Sequence, residues 1–99
     1  MDRIRVIVKP VGLKAHVEYV ENELKAFQSL VGGYIETVTI ADDAVILCDE
    51  DGRLKGKPYN CEVAGISFVG DIALVGVSGE EFTGTAVKLE DANTHIFEE

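Results

Sequence analysis

Leu30-Val31-Gly32-Gly33-Tyr34-Ile35-Glu36 is where this 99-residue chain passes from one kind of order to another. Ahead of it, Val20, Leu24, Phe27, Leu30 and Val31 recur at helical spacing. After it, Tyr34 to Ile40 has the Tyr, Ile, Thr and Val content of a strand. The glycine pair ends the helix, because helices commonly close through a residue with positive φ and glycine adopts that without a Cβ clash. The spacing predicts a helix over about 22–31, with Asn22 as N-cap and Glu21 and Glu23 at the positive end of its dipole. Two to three turns cannot stand alone in water, so a Leu24-Phe27-Leu30 stripe must rest on a sheet.

Working outward, Arg3 to Lys9 alternates charge with β-branched residues, the pattern of a half-buried strand with Ile4, Val6 and Val8 on the core side. Pro10 and Gly12 stop it, and a short extended piece follows around His16 to Val20. Ala44 to Cys48 is a second strand, turned back on Tyr34 to Ile40 by Asp42-Asp43. Asp51-Gly52 makes another turn, Arg53 to Asn60 reads as loop, and Cys61 to Gly65 fits either a short strand or a turn of helix. Ile72 to Val77 is the most continuously apolar run and therefore the interior strand. Gly79 and its neighbouring glutamates form a turn before a last short strand within Phe82 to Val87. Leu89, Ala92 and Ile96 with Phe97 then read as a terminal amphipathic helix over about 89–97, fraying at its end. The sum is one α+β domain spanning 1–99: a mostly antiparallel sheet of four to six strands, one packed helix and a short C-terminal helix.

No apolar run approaches the roughly 18–20 residues of a membrane span, and Met1 to Arg5 lacks the apolar block of a signal peptide. A cytoplasmic location is the expectation. The net charge of -9 repels phosphate backbones and anionic lipid, which argues against direct nucleic-acid or membrane binding. From Pro58 onward Lys88 is the one basic residue, so the C-terminal part carries a negative field that meets a basic partner or serves solubility. Cys48 and Cys61 lack metal-ligand spacing and read as buried thiols.

Few groups invite chemistry. Asp49-Glu50-Asp51-Gly52 is acidic like a calcium loop, but an EF-hand register would put Leu47 in the first ligand position and Pro58 in place of the closing glutamate. No phosphate-binding glycine motif is present, Gly76-Val77-Ser78-Gly79 is not a nucleophile elbow, and His16 and His95 have no partner motif. No catalytic residue, metal ligand or cofactor is assigned. Gly32 and Gly33 are a helix cap or a nest of N–H groups for an anion. Glu36 shares a strand face with Val38 and Ile40; it is either a carboxylate on the core side or, if Ile35 points inward, a group on the sheet's open face. Tyr59-Asn60 closes a basic loop with Arg53, Lys55 and Lys57, which either holds a phosphate-bearing small molecule or balances the acidic turn.

The Val31-Gly32-Gly33-Tyr34-Ile35-Glu36 block, the Asp49 to Lys57 segment with its Leu54-Lys55-Gly56, the closing Asn60, and Gly70 before Ile72-Ala73-Leu74-Val75-Gly76 together resemble domain-of-unknown-function family 3846. Its members are small proteins of phages, prophages and conjugative elements of Firmicutes. The resemblance implies a cytoplasmic accessory protein of a mobile element, with no reaction or cofactor to carry over. It marks Gly32, Gly33, Glu36 and Asn60 as candidates. The chain departs from the pattern after Asn60, where relatives show a basic residue and Cys61-Glu62 stands here, which weakens an anion site.

Three functional expectations follow. The first is a noncatalytic binding module for a host protein or small ligand, with Gly32, Gly33, Glu36, Tyr59 and Asn60 as the ligand-binding candidates and a homodimer if an apolar strand or the terminal helix exposes surface. The second is an acidic DNA-mimicking decoy for a host nucleic-acid-binding protein. The third is a small enzyme using Glu36 as acid or base.

Overall fold

The computed structural model describes residues 3–99. Its elements run β1 (Arg3–Lys9), β2 (His16–Glu21), α1 (Leu24–Val31), β3 (Ile35–Ala41), β4 (Ala44–Asp49), β5 (Tyr59–Val63), β6 (Ile66–Val69), β7 (Ile72–Ser78), β8 (Glu81–Thr83) and α2 (Leu89–Asp91). A π-helical stretch, Ala92–Ile96, continues α2. The main sheet has the order β2-β1-β7-β4-β3, with β8 paired to the end of β7, and every pairing is antiparallel. The expected α+β architecture, the β3–β4 hairpin around Asp42-Asp43 and the interior position of β7 are all present. No helix among the described residues is long and apolar enough to cross a membrane.

A strand absent from the sequence reading changes the architecture. β6 pairs with β5 as a separate two-stranded ribbon, and Ala64-Gly65 joins them. Both turn residues have positive φ, 51° and 79°, as the two-residue hairpin turns that match strand twist require. The ribbon folds over the face of the main sheet opposite α1, so the sheet is covered on both sides. Ile46, Ile72 and Leu74 meet the ribbon's Cys61, Val63 and Phe68 together with Ala92 and Phe97. Val45, Leu47, Ala73 and Val75 pack on Phe27 and Val31 of α1. Double coverage is why β4 and β7 are unbroken apolar runs. It also corrects the half-buried reading of β1: Val6 and Val8 face the helix while Ile7 is fully buried on the ribbon side.

Three further expectations are corrected. Helix α1 runs from Leu24, close to the expected start, but its N-cap is Glu23 with no capping side chain; Asn22, the expected cap, instead donates from Nδ2 to the Phe82 carbonyl at 2.9 Å, tying the helix entry to β8. Leu24 is 57% exposed, so the packed stripe is Phe27, Leu30 and Val31, with Phe27 edge-on to the Phe82 ring. The C-terminal segment does not fray at Phe97: that side chain is buried, and Glu98 exchanges backbone hydrogen bonds with Glu62 of the ribbon at 2.7 and 2.9 Å. The π turn puts Leu89, Ala92, Ile96 and Phe97 on the ribbon-side core.

The contrast along α1 gives a direct test. Phe27→Ala should lower the unfolding free energy by about 3–4 kcal/mol, whereas Leu24→Ala should change it by less than about 0.5 kcal/mol, both read from urea denaturation.

Candidate functional site

The end of α1, the start of β3 and the β4–β5 loop converge on one carboxylate. Asp49, the last residue of β4, has only 1% of its side chain exposed. It accepts from Lys55 Nζ at 2.8 Å, and Lys57 Nζ lies 2.7 Å away; its other oxygen accepts the Asp51 N–H at 2.9 Å. The Lys55 ammonium, followed by that of Lys57, holds this carboxyl well below the usual carboxylate range, against the opposing effect of burial. Lys57 also donates to the Val31 carbonyl at 2.8 Å, and Lys55 reaches the Gly32 carbonyl at 3.3 Å. Helix α1 has no basic residue in its own last turn, so loop lysines supply the cations that its terminal carbonyls favour.

This junction explains both glycines. Gly32 caps the helix at φ 74°, ψ 32°, and the Gly32 and Gly33 N–H groups both donate to the Gln28 carbonyl, which leaves neither free to form an anion nest. Gly33 is required by proximity: a Cβ there would lie 2.6 Å from the Asp49 carboxylate. Lys55 and Lys57 are engaged inside the fold rather than offered to a phosphate, and Arg53 donates to the Ser67 carbonyl of the ribbon at 2.8 Å.

Beside the junction, the β3–β4 end of the sheet and the ribbon enclose a cleft of about 240 Å³, with the β4–β5 loop at its mouth. Val38, Cys48 and Phe68 form its apolar floor, Ile66 and Leu54 stand at its edge, and Glu36 and Glu50 bring carboxylates to the rim. Leu54 is 89% exposed and Ile66 42%, which extends the apolar surface of the cleft to its edge. Glu36 lies on the ribbon side of β3, as Val38 and Ile40 do, while Ile35 packs toward α1; being at the sheet edge, Glu36 is exposed rather than buried. Both halves of the sequence expectation for this pair are therefore partly correct. Among the described residues neither Glu36 nor Glu50 has a salt-bridge partner.

Asn60 belongs elsewhere. Its Nδ2 donates to the Lys9 and Gly70 carbonyls, each at 2.8 Å, and its Oδ1 accepts from Lys9 Nζ at 3.1 Å. Lys9 is 1% exposed, also donates to the Pro10 carbonyl, and has the exposed Glu99 carboxylate 3.6 Å away. A buried lysine at the end of a charge-alternating strand gives no sign in the sequence, because only the ribbon's arrival buries it. Tyr59 is exposed, and desolvation with the nearby Glu62 raises its phenol, which stays protonated at neutral pH. Burial pushes both thiols to about 11, Cys48 further assisted by Glu36, so neither is a ready thiolate nucleophile. The five candidate residues thus divide among three places: Gly32 and Gly33 at the junction, Glu36 on the cleft rim, Tyr59 and Asn60 along the ribbon.

The arrangement is that of a small α+β domain with a recessed apolar surface and an acidic rim. Residues 4–96 match the model of a domain of unknown function, DUF3846, and the chain belongs to that family. No curated protein and no solved structure matches it.

Asp49→Asn should cost about 2 kcal/mol in denaturant unfolding, less than a fully buried pair would, since both lysine heads retain contact with water. The depressed carboxyl stabilises the fold above the unfolded value, about pH 4, and that contribution disappears as pH falls through the folded value. The stability gap between native protein and Asp49→Asn should therefore narrow steadily as unfolding is measured from pH 5 down to pH 2. Gly33→Ala should destabilise by about 1–3 kcal/mol, and by much less in the Asp49→Ala background, where the added methyl has room; a double-mutant cycle measures the coupling.

Proposed function

We infer that the protein is a noncatalytic binding module whose ligand seats in the cleft between the β3–β4 end of the sheet and the β5–β6 ribbon. The observation that carries this reading is an apolar floor of Val38 and Phe68 under a rim whose two carboxylates, Glu36 and Glu50, have no salt-bridge partner among the described residues, while Arg53 of the same lining is turned to the Ser67 carbonyl. Such a surface selects a ligand with an apolar group to enter the floor and a positive charge to meet the rim. Catalysis lacks support: Asp49 is locked to its lysines, the thiols are protonated, and Glu36 has no convergent proton partner. The family resemblance supports a setting in the cytoplasm of a bacterium carrying a phage or conjugative element, where the ligand is supplied by a host protein or small molecule. The chain's net charge of -9 opposes direct binding to nucleic acid.

The test is amide NMR on labelled protein titrated with phenethylamine and, separately, with the uncharged analogue ethylbenzene. Shifts confined to Val38, Ser67, Phe68 and Val69 with the amine, weakened about tenfold by Glu36→Gln with Glu50→Gln, are expected. Shifts elsewhere, or a response indifferent to those two substitutions, would show that this cleft is not the binding surface.

A further inference from the structure

The cleft opens against a strand with a free edge. β3 ends the main sheet and pairs only with β4. The Glu50 N–H donates to the Tyr34 carbonyl at 2.8 Å, which sets the phase of the hairpin: Tyr34, Glu36 and Val38 turn their backbone groups toward β4. By alternation Ile35, Thr37 and Thr39 direct N–H and C=O away from the sheet. No proline or lysine interrupts Ile35–Ala41, and the one irregularity in its pairing falls after Thr39, so the edge from Ile35 to Thr39 is regular and open. Resting on the cleft reading above, we propose that the occupant is an extended, lysine- or arginine-bearing peptide segment of a partner protein, which adds to β3 as a further strand and places one apolar side chain in the cleft.

Charge selects this occupant. Glu36 and Glu50 stand at one end of the edge and Asp42 and Asp43 at the other; Arg53, the one cation among the described residues of the cleft lining, is held toward the ribbon by its hydrogen bond to the Ser67 carbonyl and leaves these four acids in excess. A second copy of the chain would bring the same acids to the same edge, and two molecules of charge -9 repel. A basic strand meets complementary charge at both ends. Side-chain alternation then does the rest: residues of the added strand that face the ribbon side lie beside Glu36 and Val38, over the cleft, and backbone pairing supplies affinity that depends little on sequence.

The probe is a blocked peptide alternating lysine and valine, with a control of equal charge in which alternate residues are proline and cannot donate. The first peptide should slow hydrogen exchange at the Thr37 and Thr39 amides and shift Val38 and Ser67, while the control should bind at least about tenfold more weakly. Thr37→Pro, which removes an outward N–H and leaves pairing to β4 in place, should weaken binding by about tenfold or more with the thermal midpoint little changed. Glu36→Lys should weaken binding of the lysine–valine peptide by about tenfold. Cleft shifts without protection of Thr37 and Thr39 would overturn strand addition while leaving the small-ligand reading intact. An absence of both responses removes both readings, and concentration-dependent dimerisation through β3 would name the second copy as occupant and refute the proposal.

Discussion

The Asp49 carboxylate is the constraint on which the rest of the structure depends. It stands where the helix ends, where β3 begins and where the long loop leaves β4, and it organises all three at once. Two lysines from the loop neutralise it while capping the helix carbonyls, so a negative helix end and a buried anion share the same cations. The Gly33 backbone can lie against the carboxylate only because it carries no side chain. Helix position, strand entry and loop conformation are therefore one electrostatic problem with one solution.

A second buried polar cluster attaches the ribbon. Asn60 bridges the Lys9 and Gly70 carbonyls and receives the Lys9 ammonium, giving every amide hydrogen-bonding direction it uses a partner in the dry space between sheet and ribbon. Phe97 and the Glu62–Glu98 pairing fasten the C-terminal segment to the same ribbon. Strand β6 of the ribbon, from Ile66 to Val69, then forms one wall of the cleft opposite Glu36, Val38 and Cys48 of the main sheet.

This geometry separates groups that maintain the fold from groups available to a ligand. Three charges close to the core are matched internally: Asp49 by lysines, Arg5 by the Thr85 and Val87 carbonyls, Lys9 by Asn60. The sheet is open at two edges, β2 and β3, and of these β3 is the one that borders the cleft and its acids.

Local chemistry made the elements legible. Gly32-Gly33 announced the helix end, Asp42-Asp43 the hairpin, and the uninterrupted run from Ile72 the central strand, because turn conformations and sheet burial act on neighbouring residues. Glu36 was singled out by strand alternation and by the family resemblance, and its side chain lies on the lining of the cleft. Other features had no local signal. Ser67 and Gly65 obscured β6, and Leu24 kept helical spacing while facing water. Lys9 and Asp49, ordinary surface types by sequence, are buried by tertiary packing: the loop that follows Asp49 folds back on it against Gly33, and the ribbon, distant in the chain, covers Lys9. Sequence by itself determined, β6 apart, which segments form helix, strand and turn, through preferences that operate over a few residues. Only the tertiary structure decided which charges are enclosed and which stay open, because desolvation depends on what arrives from elsewhere in the chain.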